Sequence, residues 1–163
     1  MIVQLRPGSK SVLDLALVLA WRSIPDVYHG LYTQHRENRP LTWQEHFKFW
    51  TSPNRATWCQ FIIQIGEEGM PLRDVGYVQF GQMDHWKPEV AIVIGEVTLH
   101  GKGVGTIALK QALDWIKGRD KQAVHTTILK DNEKSIRLFE KVGFRRVGDA
   151  REGEWEYEIW LII

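Results

Sequence analysis

Three glycines within five residues constrain this chain more than anything else in it. The segment His100-Gly101-Lys102-Gly103-Val104-Gly105-Thr106 follows a stretch that reads as a strand, Glu89 to Gly95, and opens a run of helical period. Glycine lets a backbone approach a ligand closely. A turn of this kind aims N–H groups outward, and the helix N-terminus adds a field that favours an anion. A pyrophosphate is the natural guest, with Lys102 and His100 able to add charge or hydrogen bonds at the rim. The glycines alone suit an ordinary strand-to-helix turn equally well, so competing phosphate motifs have to be weighed. Gly103-Val104-Gly105-Thr106-Ile107-Ala108 fits the glycine fingerprint of dinucleotide-binding folds, but several residues separate it from Gly95 and only two further strands are expected after it. A triphosphate-binding loop requires a lysine followed directly by Ser or Thr, and Lys102 is followed by Gly103.

Around this segment the chain alternates strand and helix patterns. Ile2 to Arg6 suits a strand, and Ser9 or Ser11 can cap a helix running to about Arg22, ended by Pro25. The polar span His29 to Arg39 reads as a loop. Thr42 and Glu45 form a capping-box pattern that opens a helix carrying Phe47 and Trp50 toward Pro53. Trp58 to Ile65, Val75 to Phe80 and Glu89 to Gly95 are rich in β-branched and aromatic residues and predict three strands, antiparallel because their connections are short. Val104, Ile107, Ala108, Ala112, Trp115 and Ile116 then share one helical face up to Gly118. Ala123 to Leu129 reads as a strand, and Asn132 can cap a helix bearing Ile136, Phe139 and Val142 that Gly143 ends. Trp155, Tyr157, Ile159 and Leu161 alternate with Glu154, Glu156 and Glu158, as in a strand with one wet face. The order is mixed α/β, one domain over residues 1–163.

Composition narrows the function classes. A chain of 163 residues, 44% hydrophobic, is long enough for one domain with a real core. With 21 basic and 20 acidic residues the net charge is +1, so the chain offers no overall footprint for nucleic acid or an anionic membrane, and any anion site must be local. Cys59 is the only cysteine, which excludes an intramolecular disulfide and a multi-cysteine zinc site and fits a reducing cytoplasm. Val12 to Trp21 is interrupted by Asp14 and too short to span a bilayer, so it reads as a packed amphipathic helix rather than a targeting signal. The 8 Trp include candidates for a pocket or a homodimer interface, most of them being core.

His100, Gly103 and Gly105 resemble the pyrophosphate loop of the GNAT superfamily of N-acetyltransferases, which runs Gln or Arg, two residues, Gly, one residue, Gly or Ala. His100 departs from the usual Gln or Arg, a change that a loop acting through backbone amides tolerates. Glu89 to Gly95 sits where the family's fourth strand belongs. Asn132, Ser135, Leu138, Phe139, Gly143 and Phe144 are similar to the family's downstream signature. Leu19 to Val27 and Glu45-His46 resemble patterns of the branch that holds ribosomal-protein N-terminal and amino-sugar-nucleotide acetyltransferases. The resemblance implies a mixed, mostly antiparallel central sheet flanked by helices, with splayed fourth and fifth strands.

It also implies acetyl-CoA as cosubstrate, direct attack by a primary amine on the thioester, and no metal. By resemblance, Val93, Ile94 and Gly95 lie along the cofactor arm. The turn from His100 to Thr106, Lys102 and Val104 included, takes the pyrophosphate, and Asn132, Ser135 and Phe139 complete the cofactor set. A lysine-like amine, with a pKa of about 10.4, needs a base more than an α-amino group near about 8. Glu89 and Glu96 are the carboxylate candidates, each equally readable as a solvated strand-end charge; His46 and His85 stand behind them. Phe139 cannot donate a proton where many members carry tyrosine, which leaves Ser135 or solvent as the acid. Tyr28, His29, Tyr32, Arg36, His46 and His85 are expected to line the acceptor pocket. An amino-sugar nucleotide or related small amine leads as acceptor, with a protein N-terminus as the alternative and a non-catalytic acyl-CoA-binding module as a reading of a different class.

Overall fold

Hydrophobic period and capping residues account for most of the elements. In the computed structural model, which describes residues 1–161, strand β1 (Ile2–Pro7) leads into helix α1 (Val12–Arg22), whose first turn is capped by Ser11 accepting from the Asp14 amide. The helix closes at Ser23, before Pro25. That proline instead starts a short helix, α2 (Pro25–Tyr28), at the position where its missing N–H costs nothing. The expected loop from His29 to Arg39 contains a further helix, α3 (Tyr32–Glu37), stopped by Asn38 in a left-handed conformation. Six residues with one buried side chain carry too little periodicity to announce a helix. The capping box of Thr42 and Glu45 is formed at the head of α4 (Trp43–Thr51).

Strands β2 (Cys59–Gly66), β3 (Arg73–Gly81) and β4 (Glu89–Ile94) follow as antiparallel neighbours. Helix α5 (Val104–Lys117), strand β5 (Ala123–Leu129), helix α6 (Glu133–Val142) and strand β7 (Glu154–Trp160) lie near their expected limits. One strand was not foreseen, so three rather than two follow α5. Strand β6 (Arg145–Asp149) is exposed along its length, pairs only with β7, and shows no apolar alternation to betray it. Its arginines and aspartate suit an edge that must not recruit other strands.

The seven strands form one sheet in the order β1-β2-β3-β4-β5-β7-β6. Every neighbouring pair is antiparallel except β4 and β5, which run parallel and share a single rung, Glu89 opposite His125. Helices α5 and α6 cover one face over Val78, Phe80, Val90, Val124, Ile128 and Tyr157. Helices α1 and α2 cover the other over Ile62, Tyr77 and Val93. The wet face expected of β7 is partly buried: Glu154 is only 3% exposed, with Arg151 Nε 2.7 Å from its carboxylate. Among the described residues no helix is long and apolar enough to cross a membrane.

Candidate functional site

The single β4–β5 rung creates the site. Beyond Glu89 the two strands part, so peptide groups on that edge of β4 lose their ladder partners, and the gap opens a cleft of about 670 Å³. Ile92 and Ile94 line it from one face of the sheet and Val93 from the other. At the end of β4 the Gly95 and Glu96 amides both donate to the Val75 carbonyl, at 2.8 and 3.3 Å. A side chain at Gly95 would fall 2.0 Å from the Trp21 ring, so the glycine there serves the packing of α1 and does not line the cleft.

The glycine turn forms the cleft's second wall. Gly101 and Gly103 have φ of 76° and 85°, a region that other residues enter at a cost, and added Cβ atoms there would meet nothing within 4 Å. Gly103 is the N-cap of α5, with no side-chain hydrogen bond closing the helix end, so the first amides of α5 remain free to bind an anion. Donor geometry, open space and helix polarity therefore fit a pyrophosphate. His100 lines the cleft, with its ring nitrogens turned inward. Its Nε2 lies 2.8 Å from the Ile94 carbonyl and ties the turn to the end of β4, while Nδ1 is buried without a partner. Lys102 is exposed and outside the cleft lining, and Val104 is fully buried in a core cluster.

Helix α6 supplies the facing wall. The Asn132 side chain accepts from the Ser135 amide at 3.3 Å, capping α6, and a side chain at Gly30 would meet Asn132 Nδ2 at 2.8 Å. The turn between α2 and α3 therefore closes against α6 at this point. Ser135 lines the cleft; Phe139 does not, being 3% exposed and packed edge-on against Phe144 at 4.9 Å. Lys134, Arg137 and Lys141 also line the cleft, and were missed although their spacing of three and four residues places them on one helical face.

The two carboxylate candidates have different surroundings, Glu89 beginning β4 and Glu96 lying two residues past its end. Side chains alternate between faces along a strand, and cross-strand partners share a face. Glu89 therefore shares a face with His125, Thr127, Glu156 and Glu158, partners along the β4–β5–β7 ladder, whereas Val90 points into the α5 side. His125 Nδ1 lies 3.4 Å from Glu156, and Lys87 Nζ lies 3.2 Å from Glu158. Burial pushes the Glu89 carboxyl above the usual range, with partial relief from His125 and Arg151. Glu96 is instead ion-paired to Arg73 near the far end of the strand, and neither carboxylate is among the residues that line the cleft.

The proposed acceptor residues divide as well. His29 lines the cleft, joined by Asp26, Gly30 and His35. Tyr28 is buried against His29, with ring centroids 4.6 Å apart. Tyr32 lies under the Arg151 guanidinium at 3.7 Å, and Arg36 pairs with Glu152 at 3.7 Å, so α3 is clasped to the β6–β7 turn. His46 is fully buried, its Nε2 2.8 Å from the Leu15 carbonyl, which joins α4 to α1; desolvation, with a contribution from Arg22, lowers its pKa to about 4. His85 is exposed on the β3–β4 turn, outside the cleft lining.

Comparison with known proteins bears on this architecture. The family profile for the acetyltransferase (GNAT) domain matches residues 3–145. An uncharacterised protein of Methanocaldococcus jannaschii is 40% identical over 149 residues, which are 91% of this chain and 29% of that protein, so the chain spans less than a third of that relative's length. The crystal structure of a domain from the same organism superposes with a TM-score of 0.89 at 36% identity, covering 98% of both chains. Spermidine N-acetyltransferase from Vibrio cholerae, in complex with CoA and spermine, shares the fold with a TM-score of 0.77 at 16% identity over 98% of this chain and 95% of its own.

Proposed function

Because the chain belongs to the GNAT acetyltransferase family, we propose that it is an acetyl-CoA-dependent N-acetyltransferase whose acceptor is a primary amine, carried by a nucleotide-linked amino sugar or a related small molecule. The observation that carries this reading is the uncapped N-terminus of α5, arched by glycines, opening on the cleft where β4 and β5 part. That a similarly folded enzyme was crystallised with CoA supports the choice of cosubstrate.

Acetyl-CoA supplies an activated thioester; the chain's own residues do the rest. The free amides at the head of α5 receive the pyrophosphate, and Lys134, Arg137 and Lys141 add positive charge along the cleft. The unladdered edge of β4 at Val93 and Ile94 offers peptide groups to the pantetheine arm and to a developing oxyanion. His100 fixes the end of that edge through the Ile94 carbonyl.

Glu89 is the base in this reading. An alkylammonium with a pKa of about 10.4 must lose a proton before it attacks, and a carboxylate with raised proton affinity matches that task better than a solvated one. Val93 is four steps along the strand from Glu89, roughly 13 Å at about 3.3 Å per residue, so the proton travels through water. Ala91, between them on the same face, is small enough to leave that path open. Ser135, on the cleft wall, is the hydroxyl assigned to the leaving thiolate in this reading, and the thiol pKa of about 8.5 also suits protonation from solvent.

The test is acetyl-CoA turnover across amino-sugar nucleotides, polyamines, amino acids and peptides, read as released thiol. Highest turnover with an amino-sugar nucleotide supports the proposal. Highest turnover with peptides moves the acceptor to a protein N-terminus, and acetyl-CoA binding without transfer to any amine leaves a non-catalytic module.

A further inference from the structure

The face that carries Glu89 also holds a cation without a counterion. Arg55 ends a short 3-10 turn, Pro53–Arg55, before β2. Its guanidinium lies 3.9 Å from the ring centre of Phe49 and 4.7 Å from that of Trp58. Phe49, Trp50 and Trp58 pack edge-on against one another at 5.3 to 6.2 Å, which makes the platform rigid. Among the described residues no carboxylate lies within 4.0 Å of Arg55, and its Nε is buried with no hydrogen-bond partner. Arg6, also partly buried, satisfies its charge with Asp14 and Asp74. Burial lowers the Arg55 pKa, and the charge that opposes this is Glu89.

The register shows how close the two are. Gly81 stands opposite Glu89 in the β3–β4 ladder, and a side chain at Gly81 would lie 2.7 Å from the Trp58 ring, so Trp58 covers the rung that holds Glu89. Arg55 stacks on that same ring. With Nε buried, the two Nη groups of the stacked guanidinium remain for a ligand, and the fork they form matches two phosphoryl oxygens. Burying Nε without a partner also carries a cost, and an anion on the accessible Nη groups relieves part of it.

Resting on the acetyltransferase reading above, we infer that Arg55 anchors a phosphoryl group of the acceptor. The substrate class is then an amine that bears a phosphate or diphosphate, its amine toward Glu89 and its phosphoryl oxygens on the Arg55 guanidinium. Specificity on this face comes from the guanidinium, which selects against amines that carry no anion, while Glu89 draws the amine's proton through water.

The experiment is calorimetric titration of inorganic pyrophosphate and of uridine diphosphate into the full chain saturated with coenzyme A, which fills the glycine turn and leaves only a second anion site to report. Wild type should bind both, and Arg55→Met, which keeps an apolar side chain on Phe49 and Trp58, should weaken both by about tenfold or more without changing coenzyme A affinity. Arg55→Lys, which keeps the charge and loses the fork, should fall between and covers the event that the Met variant misfolds. No binding to the saturated wild type, or equal affinity in wild type and both variants, overturns the anchor. Thiol release with phosphate-free amines alongside either result would overturn the anchor and keep the transferase. Arg55-dependent phosphate binding with no thiol release from any amine would do the reverse.

Discussion

The wall of the cleft made by the glycine turn and α6 draws on two short stretches of chain, residues 100–106 and 131–141. The face around Glu89 gathers single residues from the 3-10 turn at Arg55, from β4, β5 and β7, and from the α3–turn clasp. The first is a local motif, set within a few residues by the glycine conformations and the uncapped start of α5. The second exists only once the sheet has formed, because the pleat and register decide which side chains meet. Cosubstrate binding should accordingly respond to local backbone changes, and acceptor chemistry to side chains far apart in sequence.

The sharpest way to break this division is Glu89→Gln. Turnover should fall about 100-fold near neutral pH with acetyl-CoA affinity unchanged. Because burial raises the Glu89 pKa, the ionised base is lost as pH falls through that raised value, so wild-type turnover should decline on the acid side and the variant should lack that limb. Burying the ionised carboxylate also opposes folding at pH values above its folded pKa, so the variant should melt higher than wild type at neutral pH. Glu96→Gln, at the Arg73 ion pair, should keep turnover within about twofold. Equal losses in both variants would undo the separation between the two carboxylates.

Gly103→Val tests the other wall. A β-branched residue held at φ 85° costs about 1–2 kcal/mol or more, so the turn should relax and acetyl-CoA affinity should drop by about tenfold, measured by calorimetry. The open space around Gly103 predicts that folding survives. Unchanged affinity would remove the glycine turn from the site.

His46 sharpens the comparison by lying on the acceptor side of the sheet without serving chemistry. Its folded pKa, about 4, lies below the ordinary value of 6.5, so the stability it confers is full above the ordinary value and is lost as pH falls toward 4. The stability advantage of wild type over His46→Gln, from urea titrations, should shrink by roughly 2–3 kcal/mol between pH 7 and pH 4. Acetyl-CoA affinity of the folded variant should remain that of wild type.

Tyr32→Ala is the mildest probe. It removes the ring under Arg151, an interaction of about 0.5–1 kcal/mol, and should raise the acceptor KM by about three- to fivefold with acetyl-CoA affinity intact. A matching loss of acetyl-CoA affinity would mean that the clasp between α3 and the β6–β7 turn holds up the whole cleft.

Much of this division was legible from residues alone, for a physical reason. Glycine spacing, N-caps such as Asn132 and the capping box of Thr42 and Glu45 act over three or four residues, and a run of β-branched side chains marks a strand wherever it ends up. The order of elements, the anion-binding turn and the end of α6 at Gly143 follow from such short-range rules. Helix α3 and strand β6 escaped because neither carries an apolar period: one is held by its clasp to a turn more than a hundred residues away, the other by a single neighbouring strand. Only the folded sheet could separate Glu89 from Glu96. Glu89 begins β4 and Glu96 lies two residues past its end, and their difference comes from one rung to β5 and from the ion pair to Arg73 of β3. Tertiary packing likewise spent His46 on α1, Phe139 on the core and Gly95 on Trp21, since burial and close approach depend on partners that the local sequence does not name.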